Sequence, residues 1–285
     1  MNKKEKVAVV TGSSRGIGFE TSLTLARNGF LTYATMRNLQ KEKNISLISD
    51  KERIPLKTLQ LDVTDSTSVN NAIRSIMDET GRVDVLVNNA GYGLVGAFEE
   101  LSIEEIKQQF ETNFYGAIRV TQAVLPVMRK QGAGIVVNIS SGAGRFGYPN
   151  GSAYVSSKFA LEGLSESMAY EIEPYGLRVV LVEPGFVRTN FSNVVAKRSQ
   201  SPKSLYSKMT EKMAASVEKM KLNSSPPELV ADAVLKAVTS KEPNLRYLVG
   251  KDVKQWMEQK KNVSDKEFFN VIKQYLQKKT IPIMK

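Results

Sequence analysis

The chain has 285 residues, room for one large α/β domain or two small ones. It contains neither cysteine nor histidine, which excludes disulfides, thiolate chemistry, serine–histidine triads and metal centres built on either residue. Its net charge of +11 sits at one end: residues 1–185 hold 20 basic and 20 acidic side chains, whereas residues 186–285 hold 20 and 9.

The basic excess reads either as a solvated lysine-rich face or as attraction for an anionic partner, such as cofactor phosphates, an acidic substrate or a lipid surface. No zinc-finger spacing or aromatic-and-basic RNA signature accompanies it, so nucleic acid is not expected. No acidic cluster suggests a carboxylate-only metal site, and no metal is expected. The first apolar run is too short for a signal peptide or a membrane span. A soluble cytoplasmic protein is the expectation.

In chain order, Val7–Thr11 is a branched apolar strand with the look of a covered parallel sheet. The turn T11-G-S-S-R-G-I-G18 follows it, and helical periodicity covers 19–28 with Gly29 as its cap. Strands are expected at 31–35 and 58–62, then a helix over 66–79 and a fourth strand at 83–88. A long helical pattern over 102–129 ends at Gly132 and Gly134, before a fifth strand at 135–139. A helix carrying Tyr154 and Lys158 runs to about Tyr175, and a sixth strand at 177–182 stops at Pro184–Gly185. Residues 245–249 form a seventh strand, and two amphipathic helices start near Asp252 and Glu267. Alternating strands and helices of this length predict a doubly wound, Rossmann-type parallel sheet with helices on both faces. No linker divides the chain, so 1–285 reads as one domain: a core over 5–190, an insert over 186–226 and a C-terminal region over 227–285.

The insert follows the C-terminal end of a strand, the edge where open α/β sheets bind ligands. It reads as a substrate-covering lid with short helices, or as a plain surface loop. Met209, Met213 and Met220 offer an adaptable apolar wall or ordinary helix packing.

Two constellations carry chemistry. The first is the glycine-rich turn, with Gly12, Ser14, Arg15, Gly16, Ile17 and Gly18 as candidate cofactor contacts. Gly12 permits a tight turn, Gly16 admits a pyrophosphate and Gly18 lets the helix pack on the sheet. Where an acid would bond the ribose hydroxyls and repel a 2′-phosphate, this chain has Thr35, Met36 and Arg37. Arg37 and Arg15 can pair with such a phosphate, so NADP(H) is expected over NAD(H); the plain alternative is a surface arginine. The second constellation is Tyr154 and Lys158, four apart on one helix face. A nearby ammonium favours the phenolate and turns a poor base into a proton donor and acceptor. Ser140 and Ser141 supply hydroxyls upstream.

The marks T-G-x-x-x-G-x-G at 11–18, Asp62, N88-N-A-G91, Asn113, Ser141, Y154-V-S-S-K158 and P184-G occur in the order of one family. Over residues 5–190 the chain resembles the short-chain dehydrogenase/reductase family. The resemblance implies that Tyr154 is the general acid and base, and that Lys158 lowers its pKa and holds the nicotinamide ribose. It implies that Ser141, thirteen positions before Tyr154, orients the substrate oxygen, and that Asn113 anchors a water of the proton relay. It also implies that Asp62 and Val63 contact the adenine, and that Asn89, Ala90 and Gly91 line the adenosine side. By the same resemblance Thr189 would reach the carboxamide of the nicotinamide, with Pro184, Gly185 and Val187 shaping that wall.

The runs Y33-A-T-M-R-N38 and 154–163, with the extra length, are similar to the branch of 17-beta-hydroxysteroid and retinol dehydrogenases. That implies a hydrophobic ketone, aldehyde or alcohol as substrate, with Tyr92, Gly93, Leu94, Arg145 and Phe146 tuning the choice. Family members pair through helices at about 102–129 and 152–174, so a homo-oligomer is implied. An epimerase or dehydratase on the same fold, and a nucleotide-binding regulator without catalysis, are the alternatives.

Overall fold

Seven short strands pair in parallel in the order β3-β2-β1-β4-β5-β6-β7. They are β1 (Lys6–Val10), β2 (Phe30–Met36), β3 (Leu56–Gln60), β4 (Val85–Asn88), β5 (Gly134–Ile139), β6 (Leu177–Pro184) and β7 (Arg246–Val249). The doubly wound sheet expected from the sequence is present. A computed structural model describes residues 5–189, 191, 204–222 and 224–277.

The central strands are buried along nearly their whole length, with burial unbroken at both alternating faces of β4. A strand with both faces apolar needs a helix layer on each side. On one side α3 (Ser66–Thr80), α5 (Gly116–Gln131) and α6 (Ser152–Ile172) supply Val69, Ile73, Val120, Val124 and Met168 against Val9, Leu86 and Val136. On the other side α1 (Gly16–Arg27) and α8 (Glu228–Thr239) supply Leu25, Val230 and Val234 against Val10, Val87 and Val180. Each such buried side chain removes enough apolar area to contribute about 1.5–3 kcal/mol. From the neighbouring strands β1 and β4 the chain leaves in opposite directions, to β2 on one side and to β5 on the other. The parting of these connections makes a crevice at the carboxyl ends of the strands.

Three departures from the sequence reading have physical causes. The single helix expected over 102–129 is two helices, α4 (Ile103–Phe110) and α5, joined by a π turn over Glu111–Tyr115. α2 (Lys43–Glu52) was not expected, because its polar run carries a narrow apolar stripe; Ile45 and Ile48 pack with Leu23 and Met36. The helix ends at Gly132, a left-handed cap with φ +66°, and Gly134 already begins β5.

In the insert, the described part forms one helix of 16 residues, α7 (Ser207–Leu222), rather than several short ones. Residues 190, 192–203 and 223 of that insert lie outside the described residues. Past β7 the chain adds α9 (Lys251–Lys261) and α10 (Asp265–Gln277). Phe146, Trp256 and Phe268 meet there, ring against ring, at 5.7–6.2 Å. This ties the C-terminal helices to the loop after β5. No described helix is long and apolar enough to cross a membrane.

Candidate active site

The turn after β1 is held from β4. The Thr11 hydroxyl accepts the N–H groups of Asn89 and Ala90, both at 3.0 Å. The Asn89 amide donates to the carbonyls of Thr11 at 2.9 Å and Gly12 at 3.2 Å. Gly12 has φ +70°, and a Cβ there would lie 2.8 Å from Ala90 Cα. A Cβ on Gly18 would run into the Asn89 amide and the Gly12 carbonyl. The glycines therefore let three backbone segments meet where a side chain would separate them.

α1 then opens at Gly16 from an extended Arg15 (φ −169°, ψ 167°), with no side-chain cap and no acid in its first turn. Its leading N–H groups form a positive site for an anion. Thr189 lies across the turn, its methyl 3.0 Å from where a Gly16 Cβ would sit. Ser14 is half-buried in the turn, whereas Ile17 packs into the core beneath it. Arg15 and Arg37 are exposed, and neither pairs with a carboxylate among the described residues. Asp62 is braced as an acceptor for the N–H (3.0 Å) and hydroxyl (2.7 Å) of Thr64. Val63 is buried against Gly116. This cradle fits a dinucleotide: an uncapped helix start, glycines at the points of contact and free guanidinium groups at the rim.

The reaction centre lies on α6 and the loop before it. Tyr154 and Lys158 are both buried, and the Lys158 ammonium is 5.9 Å from the Tyr154 ring centre. Lys158 Nζ donates to the Ile139 carbonyl at 2.7 Å, at the end of β5. Ser141 caps the 3₁₀ turn Gly142–Gly144, its Oγ accepting the Ala143 N–H at 3.1 Å. The hydroxyl donates to the Pro184 carbonyl at 3.5 Å and lies near enough to the Tyr154 phenol to lower its pKa, whereas Ser140 Oγ is buried without a hydrogen-bond partner among the described residues. The structure thus brings Ser141 to the tyrosine and leaves Ser140 out.

Asn113 sits in the π turn. Its Oδ1 accepts the Tyr92 N–H at 3.0 Å, and its Nδ2 donates to the Tyr92 carbonyl at 2.9 Å. Nδ2 also reaches Ser157 Oγ at 3.4 Å. The amide is spent on bracing the loop after β4, so any water that Asn113 anchors would use its main chain. π turns free main-chain groups in this way and recur at functional sites.

Burial dominates the electrostatics. It pushes the Tyr154 phenol up to about 12, against the lowering effect of the Ser141 hydroxyl. It pulls Lys158 down to about 8, against the Glu162 carboxylate one turn on. The spacing alone suggested that Lys158 would lower the phenol. In the protein without cofactor, desolvation is the larger influence on the phenol.

Residues 6–200 match the model of the short chain dehydrogenase family. The chain belongs to that family. It is 37% identical over 248 residues to a 3-ketodihydrosphingosine reductase of Bacteroides thetaiotaomicron, covering 86% of this chain and 88% of that protein. The crystal structure of a short-chain dehydrogenase from Streptomyces avermitilis superposes with a TM-score of 0.83, at 31% identity over 97% and 98% of the two chains. A metagenomic short-chain oxidoreductase in complex with NADP superposes at 0.70, with 27% identity over 86% and 96%. As a family member the protein is a nicotinamide-dependent oxidoreductase.

The structure adds residues that sequence reasoning missed. Phe191 lies edge-on against Tyr154, ring centres 5.5 Å apart at 65°, and its ring edge occupies the space beside Gly93. Tyr148 folds over Gly151, and its phenol is pushed up by burial and then by Tyr154. Tyr148 also lines a cavity of about 550 Å³ with Ala97, Phe98, Pro149 and, from α7, Met209. Of the other residues expected to tune substrate, Leu94 and Tyr92 pack with Leu101 and Ala153. Arg145 pairs with Glu183 at 3.0 Å. Met213 is buried. A glycine followed by its aromatic filler some hundred residues later leaves no local pattern, so Gly93 and Phe191 were not readable as a pair.

Proposed function

We propose that this oxidoreductase uses NADP(H) to interconvert a hydrophobic ketone or aldehyde with the corresponding alcohol, with Tyr154 as the proton donor and acceptor. The observation that carries this reading is the buried Tyr154 with the Ser141 hydroxyl beside its phenol and the buried Lys158 ammonium 5.9 Å from its ring centre. Bound in that cradle, the nicotinamide supplies or accepts the hydride.

The protein's own residues do the rest. Gly12, Ser14, Arg15, Gly16 and Gly18 hold the pyrophosphate at the start of α1, with Ile17 packing the turn from below. Arg37 and Arg15 hold a 2′-phosphate. Asp62 and Val63 border the adenine, and Asn89, Ala90 and Gly91 form the adenosine wall. Lys158 holds the ribose, and Thr189, Pro184, Gly185 and Val187 shape the nicotinamide side. Ser141 fixes the substrate oxygen next to the Tyr154 phenol, which gives up its proton as negative charge develops there. Lys158 and the main chain of Asn113 return that proton from solvent.

The apolar lining contributed by Phe98, Tyr148 and Met209 supports a hydrophobic substrate, in line with the resemblance to 17-beta-hydroxysteroid and retinol dehydrogenases. The basic C-terminal third leaves room for a carboxylate or phosphate on that substrate, or for contact with a lipid surface. On this reading 5–190 is the cofactor-binding and catalytic core, 186–226 covers the substrate and 227–285 completes the wall. Exposed Tyr115, Phe159 and Tyr170 on the outer faces around α5 and α6 support a homo-oligomer.

Tyr154→Phe tests the mechanism. NADPH consumption across ketosteroids, retinal, aliphatic aldehydes and 3-keto lipids should fall by about 10²–10⁴-fold, with NADPH still bound. Retained turnover would refute the role of Tyr154.

A further inference from the structure

Among the described residues three charged side chains are buried, and they lie together: Lys158 (5% exposed), Glu162 (5%) and Glu183 (0%). An isolated buried charge is strongly disfavoured, so such a group persists only where others compensate it. Lys158 and Glu162 are four apart on α6 and share one face. Glu183 comes from the end of β6.

Two arginines close the cluster. Arg246 Nε, from β7, lies 3.0 Å from Glu162 Oε2 and 3.2 Å from Glu183 Oε1. Its Nη2 lies 2.8 Å from Glu166, an exposed carboxylate. Arg145, from the turn after β5, reaches Glu183 Oε1 at 3.0 Å. Three cations thus face three carboxylates. The second oxygens of Glu162 and Glu183 and the Ser140 hydroxyl have no hydrogen-bond partner. Ser140 Oγ and Glu162 Oε1 both border Gly144, at 2.9 and 3.3 Å from where its Cβ would sit. The free oxygen of Glu162 therefore faces the serine turn of the reaction centre, and Arg246 occupies the other.

We infer that Glu162 is a positioning residue for the reaction centre: its buried carboxylate keeps Lys158 charged, and Arg246 anchors that carboxylate from β7. The inference rests on the reading that Lys158 holds the cofactor ribose. Beside Lys158 on α6 stand the uncharged Tyr154 phenol and the Glu162 carboxylate; Glu183 on β6, Arg145 on the turn after β5 and Arg246 on β7 join the cluster through ion pairs among the carboxylates. The π turn and α4 present buried Asn113 and Gln109, both uncharged. Burial drives the Lys158 ammonium down to about 8, and Glu162 is the group that opposes it. Without that carboxylate Lys158 would shed its proton at lower pH. Glu183 is pushed up by its own burial and by Glu162, so it is the poorer stabiliser of the two.

NADPH binding measured by fluorescence from pH 7 to pH 10 reads the Lys158 charge without any turnover. The wild-type Kd should rise through an alkaline limb. In Glu162→Gln that limb should move to lower pH by roughly one unit. Glu162→Asp should restore it, and Glu171→Gln, exposed two turns further along α6, should leave it in place. An unmoved limb in Glu162→Gln, with only a lower Tm, would mean a purely structural carboxylate and overturn the inference. A wild-type Kd with no alkaline limb overturns it as well. If Glu162→Gln does not fold, Glu183→Gln probes the same field: its limb should shift in the same sense by less, and no shift overturns the inference. Ketone reduction by Tyr154→Phe would sink the functional reading and leave this titration untouched.

Discussion

Asp252, in the first turn of α9, accepts the backbone N–H of Phe186 at 2.7 Å across 66 residues of chain. Its carboxylate fills the space where a Gly185 side chain would be, and a Cβ on Gly250 would also meet it at 2.5 Å. One acid thus locks the turn that leads from β6 to Val187 and Thr189, beside the glycine cradle. Asp252→Ala leaves a part-buried N–H without its acceptor, which costs about 1–3 kcal/mol. Urea unfolding should register that loss, and NADPH affinity should fall as the Thr189 turn loosens. Asp252→Asn keeps an acceptor and should lose less on both counts. Equal stability of Asp252→Ala and wild type would show that the turn holds itself.

Gly18 and Gly163 predict opposite outcomes for the same substitution. At Gly18 a methyl meets the Gly12 carbonyl and the Asn89 amide. One of these is main chain and the other is pinned by two hydrogen bonds. Gly18→Ala should destabilise by about 1–3 kcal/mol through overpacking and should weaken NADPH binding. Gly163 lies inside α6 with nothing within 4 Å of its Cβ position. Gly163→Ala should therefore stabilise by about 0.5–1 kcal/mol, because alanine restricts the unfolded chain and favours the helix. Thermal unfolding of the two variants side by side decides both.

What was legible in the sequence was what is local. The apolar runs of β1 and β4, the glycine spacing at 12–18 and the four-residue step from Tyr154 to Lys158 each declare their geometry within one element. The strand order itself comes from the structure, within the few topologies that the connection rules allow. What stayed hidden depends on partners far along the chain. Asp252 has no pattern to link it to Phe186, and Glu162 reads as one more helix glutamate until β7 delivers Arg246 to it. The π turn at Asn113 is a change in backbone hydrogen-bond register, to which apolar periodicity is blind. Spacing likewise reveals that a lysine is near a tyrosine, but not that both are buried.

Arg37 has an exposed side chain at the end of β2, with no carboxylate partner among the described residues. A guanidinium left free at the rim of the cradle costs nothing to hold there and is available to a 2′-phosphate. A charge-assisted contact contributes about 1.5–3 kcal/mol. Arg37→Ser should therefore lower kcat/KM for NADPH by roughly 10–100-fold and leave the value for NADH nearly unchanged. Arg15→Ser should act in the same direction. Equal losses with both cofactors would mean that Arg37 supports the turn rather than reading the phosphate.

Lys158 should leave its mark on stability as well as on binding. Burial pulls its ammonium down to about 8 in the fold, against an ordinary value of 10.5 for the exposed group. Between those two values the unfolded chain binds the proton more often than the folded one. Stability conferred by this group therefore rises with pH across that window and is flat on either side of it. Lys158→Met removes the titration and nothing else in that range. The unfolding free energy of wild type relative to Lys158→Met should thus increase as pH rises from about 8 to 10.5, by about 1–3 kcal/mol. Urea titrations of both proteins at pH 7.5, 9 and 10.5 measure the difference. A constant difference would mean that Lys158 keeps an ordinary pKa in the fold, with water reaching its ammonium.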